Sequence, residues 1–135
     1  MSFINWSSDM SVSSQQMDKQ HQRLIDIINR YHDALEAGVP HAQLMTIFKE
    51  VISYAVEHFR DEEREMEQHQ YPNLQRHRLI HQNLTQRIGE FVSAMDKQQP
   101  GVEREIQFFL KSWLTAHIMG IDKQYAPYMV KAVTA

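Results

Sequence analysis

The chain contains no cysteine. That absence excludes disulfides, thiolate-bound zinc, iron–sulfur clusters, thiolate haem and cysteine nucleophiles. It is compatible with the cytosol without selecting it. Glycine and proline number four each among 135 residues, and they cluster. So few breakers point to a few long helices. No stretch approaches the roughly 18 apolar residues of a membrane span. Met1-Ser2-Phe3-Ile4-Asn5-Trp6 carries neither a basic segment nor a long apolar one, so no signal peptide is expected. Lysine and arginine total 14 against 17 acidic residues, a net charge of −3 with no basic block. Neither nucleic acid nor a membrane surface is therefore an expected partner. A cytoplasmic protein is the expectation.

Bulk composition is that of a soluble globular protein, with 42% hydrophobic and 23% charged residues. A mass of 16.0 kDa suits one domain with one sizeable core. The eight histidines are the unusual feature.

Residues 1–14 are serine-rich and lack periodicity, so they read as an N-terminal arm. Ser13 and Gln16 suggest a capping box at its end. Met17, Leu24, Ile25, Ile27, Ile28, Tyr31 and Leu35 then recur at helical spacing, predicting a helix over about 15–37. Gly38 and Pro40 stop it. A second helix, about 41–70, carries Leu44, Phe48, Val51, Ile52, Ala55 and Phe59 and breaks at Tyr71-Pro72-Asn73. A third, about 74–97, ends before Gln98-Gln99-Pro100-Gly101. A fourth, about 102–119, carries Ile106, Phe109, Leu110, Trp113 and Leu114, and Gly120 interrupts it. A short helix, about 123–132, follows. Short connections between long helices make neighbours antiparallel. The expected fold is all-α: an up-down-up-down four-helix bundle with an N-terminal arm and a short C-terminal helix.

Antiparallel geometry converts residue numbers into depth. His21 and His58 are equidistant from the turn at Val39/Pro40, Glu62 and His81 from that at Tyr71/Pro72. His81 and His117 are nearly equidistant from the turn at Gln99/Pro100. All four helices therefore bring residues to one level, roughly 28 Å from the first and third turns at the helical rise. His58 and Glu62 share a helix face at i, i+4, as do His77 and His81. His117 and Asp122 are i, i+5, and Gly120 between them can break the helix so that both turn inward. His69 lies on the face of His58 but about 16 Å further along the axis. His32 fails the same depth test against His21, and His41 sits at a helix start.

Taken singly, each histidine reads as a surface or hydrogen-bonded core residue, and a glutamate after it as half of a solvated pair. Asp61 competes with Glu62 on spacing. Five histidines and two carboxylates at one depth are harder to explain blandly, because burying so many polar groups without partners is costly. A metal resolves that cost. Imidazole and carboxylate without thiolate suit iron, manganese, zinc or copper. Seven ligands exceed one tetrahedral zinc and suit two carboxylate-bridged metals inside a bundle.

The ordered fragments Trp6…Met10-Ser11-Val12, Asp18-Lys19-Gln20-His21, His58-Phe59-Arg60-Asp61-Glu62, His77-Arg78-Leu79-Ile80-His81 and His117-Ile118-Met119-Gly120-Ile121-Asp122-Lys123-Gln124-Tyr125 resemble the hemerythrin family, in its single-domain bacterial branch. The resemblance spans nearly the whole chain and implies one hemerythrin-like domain over 1–135. It implies two iron ions with an oxo or hydroxo bridge. His77, His81 and His117 would bind one iron, His21 and His58 the other, with Glu62 and Asp122 bridging. It selects Glu62 over Asp61. The two-histidine iron would keep one position open for O2. Leu24, Phe59, Trp113, Leu114 and Ile118 match the family's pocket-lining positions, with plain core packing as the alternative. Tyr125 would lie near a bridging carboxylate.

The implied function is reversible O2 binding for transport, storage or delivery, by a monomer serving an O2-consuming recipient protein. The alternatives are a di-iron redox enzyme of peroxidase or nitric-oxide reductase type and an O2 or redox sensor. Bundle enzymes that activate O2 use more carboxylates, with a Glu-x-x-His from each of two helices. Five imidazoles and two carboxylates supply less negative charge, which favours a binder over an oxidase.

Overall fold

The computed structural model describes residues 3–129. Four helices form the bundle: α1 (Gln15–Glu36), α2 (His41–Gln68), α3 (Leu74–Asp96) and α4 (Val102–Gly120). Consecutive helices pack side by side, and α1 closes the ring against α4. There is no strand among the described residues. The all-α up-down-up-down expectation holds.

Each helix forms because one stripe is apolar. On α1 the buried residues are Met17, His21, Leu24, Ile25, Ile27, Ile28 and Tyr31. On α2 they run from Leu44 through Phe48, Val51 and Ala55 to His58, Phe59, Glu62 and Met66. Removing a large apolar side chain from water is worth roughly 1.5–3 kcal/mol. The candidate ligands lie within these stripes, so the packing that forms the bundle also drives them into its interior.

The helix ends close by a shared device. After α1, the Gly38 N–H reaches the Leu35 carbonyl and the Val39 N–H that of Ala34. Gly38 takes the left-handed φ of 73° this requires. The same pair of bonds closes α2 and α3, with Gln70 at φ 56° and Gln98 at φ 51°.

The capping box expected at Ser13 and Gln16 does not form. Ser14 caps α1 instead, accepting from the Met17 N–H at 3.3 Å. The arm is the reason. Asp18 accepts from Ser11 Oγ and the Val12 N–H, and the resulting turn puts Ser13 at φ 60°. Further out, the Ile4 backbone bonds Asn29 in both directions at 2.8 Å.

The C-terminal segment begins as a 3-10 turn over Asp122–Tyr125 and is helical at 126–129. The last residues of the expected short helix lie outside the described residues.

Two apolar clusters divide the interior. The larger runs from Leu24 through Phe48 and Phe59 to Leu110, Trp113, Leu114 and Ile118. The smaller holds Val12, Met17, Met66, Tyr71, Tyr125, Ala126 and Met129 at the opposite end.

Candidate metal centre

Between the two clusters lie His21, His58, Glu62, His77, His81, His117 and Asp122, none more than 5% exposed. The structure brings all seven together. Their inward atoms form two groups, Glu62 with His77, His81 and His117, and Glu62 and Asp122 with His21 and His58. Within each group the ligand atoms lie within 4.8 Å of one another.

The two carboxylates divide their oxygens between the groups. Glu62 Oε1 lies 3.3 Å from His77 Nε2 and 3.1 Å from His81 Nε2. Its Oε2 lies 3.3 Å from His21 Nε2 and 3.4 Å from His58 Nε2. Asp122 Oδ1 lies 3.2 Å from His77 Nε2 and 3.0 Å from His117 Nε2, while Oδ2 lies 3.2 Å from His21 Nε2.

Asp122 reaches this position through a local change of helix type. Gly120 is not the breaker expected from the sequence. It is the last residue of α4, and a Cβ placed there meets nothing within 4 Å. The change comes one residue later. The Ile121 N–H returns to the His117 carbonyl at 2.9 Å, and the chain then tightens into the 3-10 turn that opens with Asp122.

The buried imidazoles and carboxylates shift one another's proton affinity. Burial pushes the His21 imidazole down, but the Asp122 and Glu62 carboxylates beside it outweigh that and take its pKa up to about 10. His77 is likewise lowered by burial and raised further by Asp122 and Glu62, to about 9. Burial pushes the Glu62 carboxyl up, yet the charge of His58 and hydrogen bonds from His21, His58 and His77 hold it well below the carboxylate range. Asp122 is also held low, because His117 and His21 overcome burial and the charge of Glu62.

Hydrogen bonding leaves much of this polar surface unsatisfied. His81 Nε2, His117 Nε2 and both Asp122 oxygens are buried without a hydrogen-bond partner. Orphaned buried groups are costly, and here they converge. Imidazole nitrogens and carboxylate oxygens directed at common points fit a divalent transition-metal cation.

Outer contacts fix the rings. His58 Nδ1–H donates to Gln20 Oε1 at 2.7 Å, and Gln20 Nε2 donates to Asp61 at 3.0 Å. His81 Nδ1–H donates to Glu63 at 2.7 Å. Tyr125 Oη donates to Glu62 Oε2 at 2.7 Å. Asp61, the sequence competitor of Glu62, thus sits outside the centre. Gln20 and Glu63 are absent from the sequence-based residue set. The run Asp61-Glu62-Glu63 beside His58 was the available signal, since three successive carboxylates on a helix point in three directions.

Phe59 stacks on His81 with ring centroids 4.0 Å apart and meets Trp113 edge-on at 6.0 Å. Trp113 lies 6.3 Å from His117. Leu24, Leu114 and Ile118 belong to the same apolar cluster. Tyr125 lies in the other cluster, so it approaches the centre from the opposite side.

The excluded histidines have separate partners. His69 Nδ1–H donates to the Glu65 carbonyl at 2.8 Å. His32 donates to Gln107 and stacks on Phe3. His41 uses both ring nitrogens, toward Glu103 and the Met95 carbonyl, each at 2.9 Å. Both nitrogens face acceptor oxygens, and the hydrogen bond to Glu103 raises the pKa of this ring.

Residues 12–129 match the family model of the hemerythrin HHE cation binding domain. A bacteriohemerythrin of Pseudomonas aeruginosa is 31% identical over 125 residues, covering 93% of this chain and 80% of the relative. One from Stenotrophomonas maltophilia is 29% identical over 126 residues, covering 93% and 81%. A crystal structure of a hemerythrin mutant superposes with a TM-score of 0.88 at 25% identity, covering 96% of this chain and 98% of that one. No helix among the described residues is long and apolar enough to cross a membrane.

Proposed function

The chain belongs to the hemerythrin family, and on that premise we propose that it binds O2 reversibly at a pair of iron ions held by His21, His58, Glu62, His77, His81, His117 and Asp122. One observation carries this reading. Glu62 and Asp122 each turn one oxygen toward the His77/His81/His117 side and the other toward His21. Such a division suits two cations sharing two carboxylates and serves no purpose for one.

Iron bound in the reduced state would supply the O2 affinity and the electrons that accompany it. The protein's own contribution is threefold. It orients the imidazoles, through Gln20 behind His58 and Glu63 behind His81. It holds Glu62 in place through the Tyr125 hydroxyl. It keeps water away with Leu24, Phe59, Trp113, Leu114 and Ile118, all buried. A dry surround suppresses the proton leakage that would turn binding into one-way oxidation. We assign the oxo or hydroxo bridge, transport or storage by a monomer, and the cytoplasmic location to the same reading.

The test is an anaerobic optical cycle. Iron-loaded protein is reduced, freed of reductant, exposed to O2 and then stripped with argon. A visible charge-transfer band that rises with O2 and falls under argon over repeated cycles is expected. Rapid one-way oxidation would replace the carrier reading with a redox enzyme or sensor.

A further inference from the structure

Asp61, Glu62 and Glu63 are successive residues of α2, turned about 100° from one another. Glu62 points into the centre and is fully buried. Its neighbours reach around the outside. Asp61 is two bonds removed from His58, with the neutral Gln20 amide between them. Glu63 contacts His81 directly, through Oε2 at 2.7 Å. Its other oxygen is held by Arg78 Nε at 3.3 Å, and Arg78 also reaches Glu67 at 3.4 Å.

The outer nitrogens of three candidate ligands therefore face different surroundings. His81 Nδ1 meets an anion, His58 Nδ1 meets a neutral amide, and His21 Nδ1 is buried with no hydrogen-bond partner. The anion stands behind the three-histidine group. The amide and the orphaned nitrogen stand behind the two-histidine group.

We propose that Glu63 is a positioning residue that widens the inequality of the two cation positions beyond what three histidines against two already set. Its carboxylate holds the proton of His81 on Nδ1, turns Nε2 inward and makes that nitrogen the stronger donor. The three-histidine position then retains its cation longer and favours the higher oxidation state. The inference rests on the two-cation reading above. Carboxylates behind metal-bound histidines are worth about 10–100-fold in metal affinity. Glu63 is otherwise a residue 23% exposed in an ordinary surface ion pair with Arg78, and the experiment separates these roles.

Wild type, Glu63→Gln, Glu63→Ala and Arg78→Gln are loaded anaerobically with cobalt(II), and release to excess EDTA is followed through the cobalt absorption bands. Wild type is expected to take up two ions and release them in two phases. Glu63→Gln keeps an acceptor for His81 Nδ1–H but loses the charge, and it should speed the slow phase about tenfold. Glu63→Ala should speed it further, whereas Arg78→Gln should leave it within about twofold. In the iron-loaded protein, Glu63→Gln should also raise the reduction midpoint, which a packing role would not move. Wild-type rates for both phases in both Glu63 variants would overturn the proposal while leaving the two-cation reading intact. Uptake of fewer than two cobalt ions by wild type would overturn both. Should Glu63→Ala fail to fold, the isosteric Glu63→Gln still decides.

Discussion

Tyr125 donates its hydroxyl proton to Glu62 Oε2 at 2.7 Å, from the apolar cluster opposite Phe59. Both side chains are fully buried. The bond links the 3-10 turn after α4 to the C-terminal part of α2, and it restrains the one carboxylate that faces four histidines. The phenol loses its proton far less readily than usual, because burial and the charges of Glu62 and Asp122 oppose a further anion. The hydroxyl therefore keeps its proton more firmly than an exposed tyrosine does.

Replacing Tyr125 with Phe removes a hydrogen bond to a charged, buried group. A loss of about 1.5–3 kcal/mol in the stability of the metal-free protein is expected. Urea unfolding of the two metal-free proteins measures it. An unchanged midpoint would mean that the hydroxyl contributes nothing to holding Glu62.

His117 and His69 make a contrasting pair. His117 Nε2 is buried and unpartnered, 3.0 Å from Asp122. His69 is satisfied by the Glu65 carbonyl beyond the centre. His117→Ala should bring bound iron below two per chain and abolish the O2-dependent band. His69→Ala should preserve both. Metal analysis with the optical cycle gives the answer, and a normal spectrum in His117→Ala would remove that residue from the ligand set.

The bundle and its centre were legible because two regularities survive folding. Helical rise is constant and the connections are short, so equal distance from a turn means equal depth. That reasoning brought His21 level with His58 and set His69 apart. Interactions that depend on side-chain direction across helices were not legible. Glu63 and Gln20 matter through their reach around a neighbouring ring, and His41 through the carboxylate and the carbonyl oxygen that face it. Local backbone detail departs from the sequence pattern where the arm intervenes. Ser13 has the composition of a cap, but the arm's bonds to Asp18 put it at positive φ and pass the role to Ser14.

The closures of α2 and α3 each force a glutamine into the left-handed region, Gln70 at φ 56° and Gln98 at φ 51°. That conformation costs a non-glycine residue roughly 1–2 kcal/mol, and glycine escapes it at some expense in unfolded-state entropy. Gln70→Gly and Gln98→Gly should each stabilise the metal-free protein, by about 0.5–1 kcal/mol. Gly38→Ala, at φ 73°, should cost a similar amount. Thermal midpoints of the three variants test the balance, and a lower midpoint for either glycine variant would contradict it.

The protons at the centre set the pH dependence of the metal-free fold. An ordinary histidine titrates near 6.5, but His21 is raised to about 10 and His77 to about 9. A proton held more tightly by the folded chain stabilises it. This contribution is complete below pH 6.5 and disappears as pH rises through 9 to 10. Glu62 and Asp122 work in the other direction, being held low by the histidines around them. Their contribution is present above the ordinary carboxylate range and is lost as pH falls. Metal-free protein should therefore be most stable between about pH 4.5 and 6.5, with a thermal midpoint that declines toward pH 10. A bound cation replaces the protons on His21 and His77, so loading should release protons and remove the alkaline decline. Thermal midpoints from pH 5 to 10, with and without two equivalents of iron(II) under argon, distinguish the two forms. A metal-free midpoint that stays flat between pH 6.5 and 10 would show that the buried histidines do not carry those protons.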